Sequence, residues 1–231
     1  MQILLVGHGK MGQLVDQLAG QYGCEVVGVI DPDSPRHAGG PEDERWRHVE
    51  VAIDFSTPDA VMTNAPVLAR RGINLVIGTT GWGEHETKLR QAIADTGTVG
   101  IVAAPNFSTG VVLFESIVRR AAKLFAQQPE FGAFLHESHH AAKKDAPSGT
   151  AILLKRAMED AGFARSIDVS SVRAGHIPGT HTVGFDGPAE TVTLTHAARD
   201  RTAFARGALA AALWIKGKRG WFTMKDVLGV A

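Results

Sequence analysis

The run from Ile3 to Asp31 constrains this chain more than any other stretch. Ile3-Leu4-Leu5-Val6 reads as a short buried strand. Gly7-His8-Gly9-Lys10-Met11-Gly12 follows, then Gln13 to Ala19 with apolar residues at helical spacing, then Val26 to Ile30 as a second buried strand ending at Asp31. A Gly-x-Gly-x-x-Gly fingerprint alone is a weak signal. Placed after a strand, opening a helix and followed about 20 residues on by an acid, it has the context that dinucleotide binding requires. Gly7 permits the tight turn, Gly9 lets the backbone approach a pyrophosphate, and Gly12 lets the helix pack on the sheet. Asp31 would accept hydrogen bonds from an adenosine ribose, which favours NADH. Lys10 and Arg36 could instead hold a 2′-phosphate, so the choice between NADH and NADPH stays open.

The alternation continues. Residues 32–48 are polar and irregular and read as a loop or a short exposed helix. Val49 to Phe55 is a strand, Asp59 to Arg71 a helix, Asn74 to Ile77 a strand, Glu84 to Thr96 a helix and Gly100 to Ala103 a strand. Gly78-Thr79-Thr80-Gly81 and Ala104-Pro105-Asn106-Phe107-Ser108 close two of these strands at their carboxyl ends, where open parallel sheets bind ligands. Repeated βα units imply a doubly wound parallel sheet with right-handed crossovers. After Asn106 the pattern changes. Thr109 to Ala126 is one long helix, Phe131 to Glu137 a strand, Ser148 to Ala161 a helix, and Ile167 to His196 holds β-type runs with no helix between them. That is a separate α+β domain. Thr202 to Lys216 is a helix, and the segment beyond it is expected to return to the first domain.

The chemistry is concentrated in Glu137-Ser138-His139-His140-Ala141-Ala142-Lys143-Lys144-Asp145-Ala146-Pro147-Ser148-Gly149-Thr150-Ala151. Ser148 is a plausible N-cap for the helix that follows. Free backbone N–H groups at such a helix start bind carboxylates. Histidines and an ammonium nearby supply protons, so the stretch suits an acidic substrate that is protonated during reaction. Each feature alone is commonly structural; their co-occurrence points to function. A metal hydrolase built on His136, His139 and His140 has no matching ligand spacing, and no metal is expected.

Lys plus Arg equals Asp plus Glu, so the formal charge is zero. That gives no global attraction to nucleic acid or an anionic membrane, and any anion must be held locally. Cys24 is the only cysteine, which fits a reducing compartment. With no apolar leader or membrane-length run in the sequence, a cytoplasmic location is expected.

The run from Glu137 to Ala151, together with the Gly78–Gly81 turn, the Ala104–Ser108 loop and Ser171-Val172-Arg173-Ala174-Gly175, closely resembles the 4-hydroxy-tetrahydrodipicolinate (dihydrodipicolinate) reductase family. The resemblance covers nearly the whole chain. It implies a Rossmann-type doubly wound parallel sheet over 1–108 and 203–231 for the dinucleotide, and an α+β substrate-binding and oligomerisation domain with a mixed sheet over 109–202. It implies reduction of a small cyclic dicarboxylate by NADH or NADPH in lysine and diaminopimelate biosynthesis, in a homotetramer. By motif position His139 would be the acid/base residue and Lys143 the proton donor. His140, Gly149 and Thr150 would bind substrate. Gly7, His8, Gly9, Lys10, Met11, Gly12, Asp31, Gly78, Thr79, Thr80, Ala104, Pro105, Asn106 and Phe107 would hold the dinucleotide. Two departures, a glycine loop one residue tighter than in many members and a short segment after Asp31, touch the adenosine side and leave coenzyme preference open. Another dehydrogenase of similar layout, or a silent dinucleotide sensor, would not account for the His-His-x-x-Lys run.

Overall fold

The computed structural model describes residues 1–94 and 99–230. In chain order the elements are β1 (Gln2–Val6), α1 (Lys10–Ala19), β2 (Glu25–Ile30), β3 (Val51–Asp54), α2 (Pro58–Arg70), β4 (Asn74–Ile77), α3 (Glu86–Ala94), β5 (Gly100–Ala103), α4 (Thr109–Phe125), β6 (Gly132–His139), α5 (Gly149–Asp160), β7 (Ile167–Arg173), β8 (Thr180–Asp186), β9 (Thr191–Ala197), α6 (Thr202–Trp214), β10 (Gly220–Phe222) and α7 (Met224–Leu228). They form two compact units, Met1–Thr109 with Arg201–Ala231, and Gly110–Asp200.

The first unit is a six-stranded sheet ordered β10-β5-β4-β3-β1-β2, with every pairing parallel. Its strands are continuous apolar runs because helices cover both faces; all four residues of β3 are buried. Each fully buried Leu, Ile or Val contributes about 1.5–3 kcal/mol by leaving water. The strand order reverses at β1, which lies between β2 and β3. The C-terminal segment adds β10 to the sheet edge beside β5.

Two expectations are modified here. The segment after Asp31 contains a 3-10 turn, Glu44–His48, and it is not wholly exposed. Trp46 is 2% exposed and packs into the core, with its indole N–H donated to the Gly40 carbonyl at 2.7 Å. The Glu84–Thr96 helix is a 3-10 turn, Gly83–His85, running into α3; Asp95 and Thr96 lie outside the described residues.

The second unit is a mixed sheet ordered β7-β6-β8-β9. β6 runs parallel to β7 and antiparallel to β8, and β8 is antiparallel to β9. α4 and α5 supply Phe114, Val118, Ala122, Ala151, Leu154 and Met158 to its core, where they meet Leu135, Val183 and Phe185 of the sheet. Among the described residues, no helix is long and apolar enough to cross a membrane.

Candidate active site

In the first unit the candidate dinucleotide residues lie at the carboxyl ends of β1, β2, β4 and β5, and β1 is where the strand order turns, the expected ligand position in such sheets. Gly7 takes φ +86°, and a Cβ there would strike the Phe55 carbonyl; a Cβ on Gly12 would run into the carbonyl of Gly7. Gly9 differs: nothing lies within 4 Å of its Cβ position, and no side chain caps the helix it opens. An open, uncapped helix start is a cradle for a pyrophosphate, so the residues fit a dinucleotide.

The adenosine side is held by a small polar cluster. The backbone N–H of His8 donates to Asp31 Oδ2 at 2.6 Å, and that of Asp33 to Asp31 Oδ1 at 3.1 Å. The His8 ring sits 3.3 Å from Asp16 Oδ2 and 3.1 Å from Ser34 Oγ. The same Asp16 oxygen pairs with the Arg36 guanidinium. Lys10 is exposed at the first turn of α1, and Met11 is half-buried. At the other loops, Thr79 donates its hydroxyl to Asp54 Oδ1 at 2.7 Å and Thr80 is exposed. Ala104 is buried, Pro105 exposed, and Asn106 Oδ1 accepts the Ser108 N–H at 2.8 Å. Phe107 is buried edge-on to Phe55, so its ring belongs to the core and its backbone alone is left to meet a ligand.

The second unit builds its site from sheet register. Alternate residues of a strand share a face, so Ala133, Leu135, Glu137 and His139 of β6 point the same way. Their cross-strand partners make rows. Val169, Leu135, Val183 and Leu194 form an apolar row; Ser171, Glu137, His181 and His196 form the next. His139 pairs with Arg173 beyond it. The core face thus turns from apolar to ionisable along the sheet. β6 runs two residues past the expected Glu137, which places His139 on the strand and not in the loop.

Glu137 is fully buried. Its Oε1 accepts Arg173 Nη2 at 2.6 Å and the Ser148 N–H at 3.3 Å, while its Oε2 lies against His139 Nδ1. Burial pushes the Glu137 carboxyl up, but hydrogen bonds from Arg173 and Ser171 and the charges of His139 and Arg173 outweigh it and hold the group at about 2. Burial lowers His139, Glu137 opposes that shift, and Lys143 and Arg173 add to it. Ser148 caps α5: its Oγ accepts the Ala151 N–H at 3.2 Å and is 3.0 Å from His181 Nε2. His181 is 4% exposed. Burial first, then the charge of His139, pushes it down to about 4.

After β6 the loop folds back over this row. Ala141 N–H donates to the Gly175 carbonyl at 3.1 Å, Lys143 N–H to the His140 carbonyl at 3.1 Å, and Arg173 Nη2 to the Asp145 carbonyl at 2.6 Å. Lys143 Nζ lies 2.7 and 2.9 Å from the two Asp145 carboxylate oxygens, which lowers the Asp145 pKa. Lys144 is exposed. Gly149 and Thr150 are the first residues of α5, so their N–H groups have no intrahelical acceptor. The second unit therefore groups His139, His140, Lys143, Gly149 and Thr150 around the end of β6 and the start of α5.

Residues 1–107 match the family description "Dihydrodipicolinate reductase, N-terminus", and residues 110–228 match "Dihydrodipicolinate reductase, C-terminus". The chain belongs to the dihydrodipicolinate reductase family. It is 34% identical over 239 residues to the 4-hydroxy-tetrahydrodipicolinate reductase of Christiangramia forsetii, covering 99% of this chain and 98% of that one. It is 36% identical over 230 residues to that of Thermosipho africanus, at the same coverage. The structure titled "Dipicolinate bound Dihydrodipicolinate reductase" from Paenisporosarcina sp. TG-14 superposes with TM-score 0.82 over 98% of both chains, at 22% identity, a likeness of fold. As a member of this reductase family the chain is an NAD(P)H-dependent oxidoreductase.

Sequence reasoning missed Arg173, His181 and the capping contact between Ser148 and His181. The signal within reach was the alternation Leu135, Glu137, His139, which already put an acid and a histidine on one face of a strand.

Proposed function

We propose that the protein reduces 4-hydroxy-tetrahydrodipicolinate, by way of dihydrodipicolinate, to tetrahydrodipicolinate in lysine and diaminopimelate biosynthesis. The observation that carries the reading is the grouping in one unit of a carboxylate-backed histidine, a lysine and a helix start with free N–H groups. The bound nicotinamide supplies the hydride. The chain's own residues do the rest. The N–H groups of Gly149 and Thr150 bind one substrate carboxylate. His140 contacts the substrate. Hydride addition to a conjugated imine builds negative charge, which the Lys143 ammonium neutralises by giving up a proton. His139 exchanges a proton as acid or base. Gly7 to Gly12, Asp31, Gly78 to Thr80 and Ala104 to Phe107 hold the dinucleotide, through backbone at the glycine turn and at Phe107.

The first unit is read as the dinucleotide-binding domain and the second as the substrate domain. NADH and NADPH are both read as coenzymes, since Asp31 and Arg36 offer one group for each. We further propose a cytoplasmic homotetramer assembled through the face of the second sheet away from α4 and α5. That face carries Phe134 and the exposed Val172 among His136, Ser138, Thr182 and Thr195, a mostly polar surface with two apolar side chains to set against another subunit.

The deciding assay follows absorbance of the reduced nicotinamide while the preceding synthase makes substrate from pyruvate and aspartate semialdehyde. Oxidation that depends on the synthase is the expected result. A folded protein that binds NADH and shows no such oxidation would sink the reading.

A further inference from the structure

The proposed mechanism gives Glu137 no task, yet this carboxylate is fully buried and holds Arg173, the Ser148 N–H and the His139 ring together. We infer that Glu137 is the positioning residue of the site: it fixes His139 as the Nδ1–H tautomer, so that Nε2 is the nitrogen that exchanges the proton. The inference rests on the reading of His139 as the acid/base residue.

The chemistry is one of donors and acceptors. An ionised carboxylate can only accept hydrogen bonds, and a neutral imidazole has one donor and one acceptor nitrogen. With Oε2 against Nδ1, that nitrogen must be the donor, which leaves the lone pair on Nε2. Arg173 keeps the arrangement one-sided: its guanidinium occupies Oε1 at 2.6 Å and favours the ionised acid. Nε2 faces Gly179. A Cβ at that position would sit 3.1 Å from it, so a side chain there would cover the nitrogen.

The same carboxylate reaches the helix that would bind substrate. Oε1 accepts the N–H of Ser148, the cap of α5, and the next two residues, Gly149 and Thr150, present the free N–H groups. One side chain thus sets the orientation of the proton-exchanging ring and of the carboxylate-binding backbone. His181 buttresses the other side through its contact with the Ser148 hydroxyl at 3.0 Å.

Glu137→Gln separates positioning from packing, because it keeps the shape. Arg173 and the Ser148 N–H both require an acceptor, so the amide oxygen stays with them and the amide NH₂ turns to His139. Nδ1 must then accept, and the proton moves to Nε2. A carboxylate-to-amide change behind a catalytic histidine acts through the wrong tautomer and costs up to about 10,000-fold in turnover in the best-studied case. The expectation here is a fall in kcat of at least about 100-fold, with the KM for substrate and the Kd for dipicolinate little changed.

The direct readout is ¹⁵N NMR of histidine-labelled wild-type protein, with the His139 signals assigned by their loss in His139→Gln. A neutral His139 protonated on Nδ1 supports the inference, and one protonated on Nε2 overturns it even if Glu137→Gln fails to fold. A Glu137→Gln protein with wild-type kcat, beside an inactive His139→Gln, overturns the inference alone. Wild-type kcat in His139→Gln overturns the acid/base reading and this inference with it.

Discussion

The two units handle polarity in opposite ways. In the first, the candidate dinucleotide loops are built largely from backbone and small side chains at strand ends, and the charged groups nearby, Lys10 and Arg36, lie toward solvent. In the second, a carboxylate, two histidines and an arginine stand in successive rows on the core face of the sheet, each touching another. A helix start needs only glycines and open space to hold a pyrophosphate, so such a site tolerates change in its side chains but not in its turn. The buried polar row is held by contacts among its own members and with the Ser148 cap of α5. Removing one leaves another desolvated and unsatisfied. The first kind of site suits a ligand shared by many reactions, and the second suits one reaction.

Two substitutions test that contrast where the effects are largest. Lys143→Ala is expected to lower kcat by about 100-fold or more, the usual contribution of a positioned proton donor, while NADH binding measured by fluorescence titration stays at the wild-type value. Unchanged turnover would remove Lys143 from the mechanism. Gly12→Ala attacks the other unit. Its Cβ would collide with the Gly7 carbonyl, and relief of such overpacking costs typically about 1–3 kcal/mol. The expected result is weakened dinucleotide binding with dipicolinate binding intact. Equal loss of both ligands would mean that the units do not divide the work as proposed.

The same contrast decides what could be read from the sequence. The strand–glycine turn–helix–strand order of the first unit is local, and β4 and β5 lie where apolar runs and turn residues put them. The Glu137–Ala151 stretch is also contiguous, so its residue types were legible. What was not legible is pairing at long separation. Arg173 lies 36 residues from Glu137, and His181 33 residues from Ser148. They meet because β6 lies between β7 and β8 in one register, and register depends on the whole sheet. Trp46 was hidden for a related reason. Its neighbours are polar, and its burial comes from packing against a core of distant residues. The Asp145 contact with Lys143 likewise depends on how the loop folds, although the two residues are only two apart in the sequence.

Acid stability should expose the buried row with a smaller effect. His181 is held at about 4 by burial and the charge of His139, below the ordinary value of about 6.5. Between those limits the unfolded chain binds the proton and the folded chain does not. Stability is therefore greatest above about 6.5 and falls as pH drops toward 4. Glu137, held at about 2, has the same sign in a lower window: the unfolded acid takes up its proton first as pH falls below its ordinary value. Denaturant melts of His181→Asn should lose the His181 share of that window, on the order of 2 kcal/mol between neutral pH and pH about 4, while His139 and His196, also lowered by burial, keep theirs. A variant with the wild-type pH dependence would show that His181 does not set it.

The smallest expected effect lies on the first unit's adenosine side. Arg36 is the group available for a 2′-phosphate, but Asp16 already pairs with it, and the same Asp16 oxygen is 3.3 Å from the His8 ring. A phosphate must compete with that carboxylate. Among the described residues no cation pairs with Asp31: it accepts backbone N–H groups from His8 and Asp33 and keeps acceptor capacity for ribose hydroxyls. Asp16→Asn should therefore lower the KM for NADPH and leave that for NADH unchanged. The Arg36 side chain is about half exposed, and a pair of this kind is worth roughly 0–1 kcal/mol, so the gain stays below about fivefold. Arg36→Ala should act in reverse, raising the NADPH value more than the NADH value. If both coenzymes respond alike to the two changes, Arg36 does not read the 2′-phosphate, and the adenosine side is left to the Asp31 carboxylate and the backbone of the glycine turn.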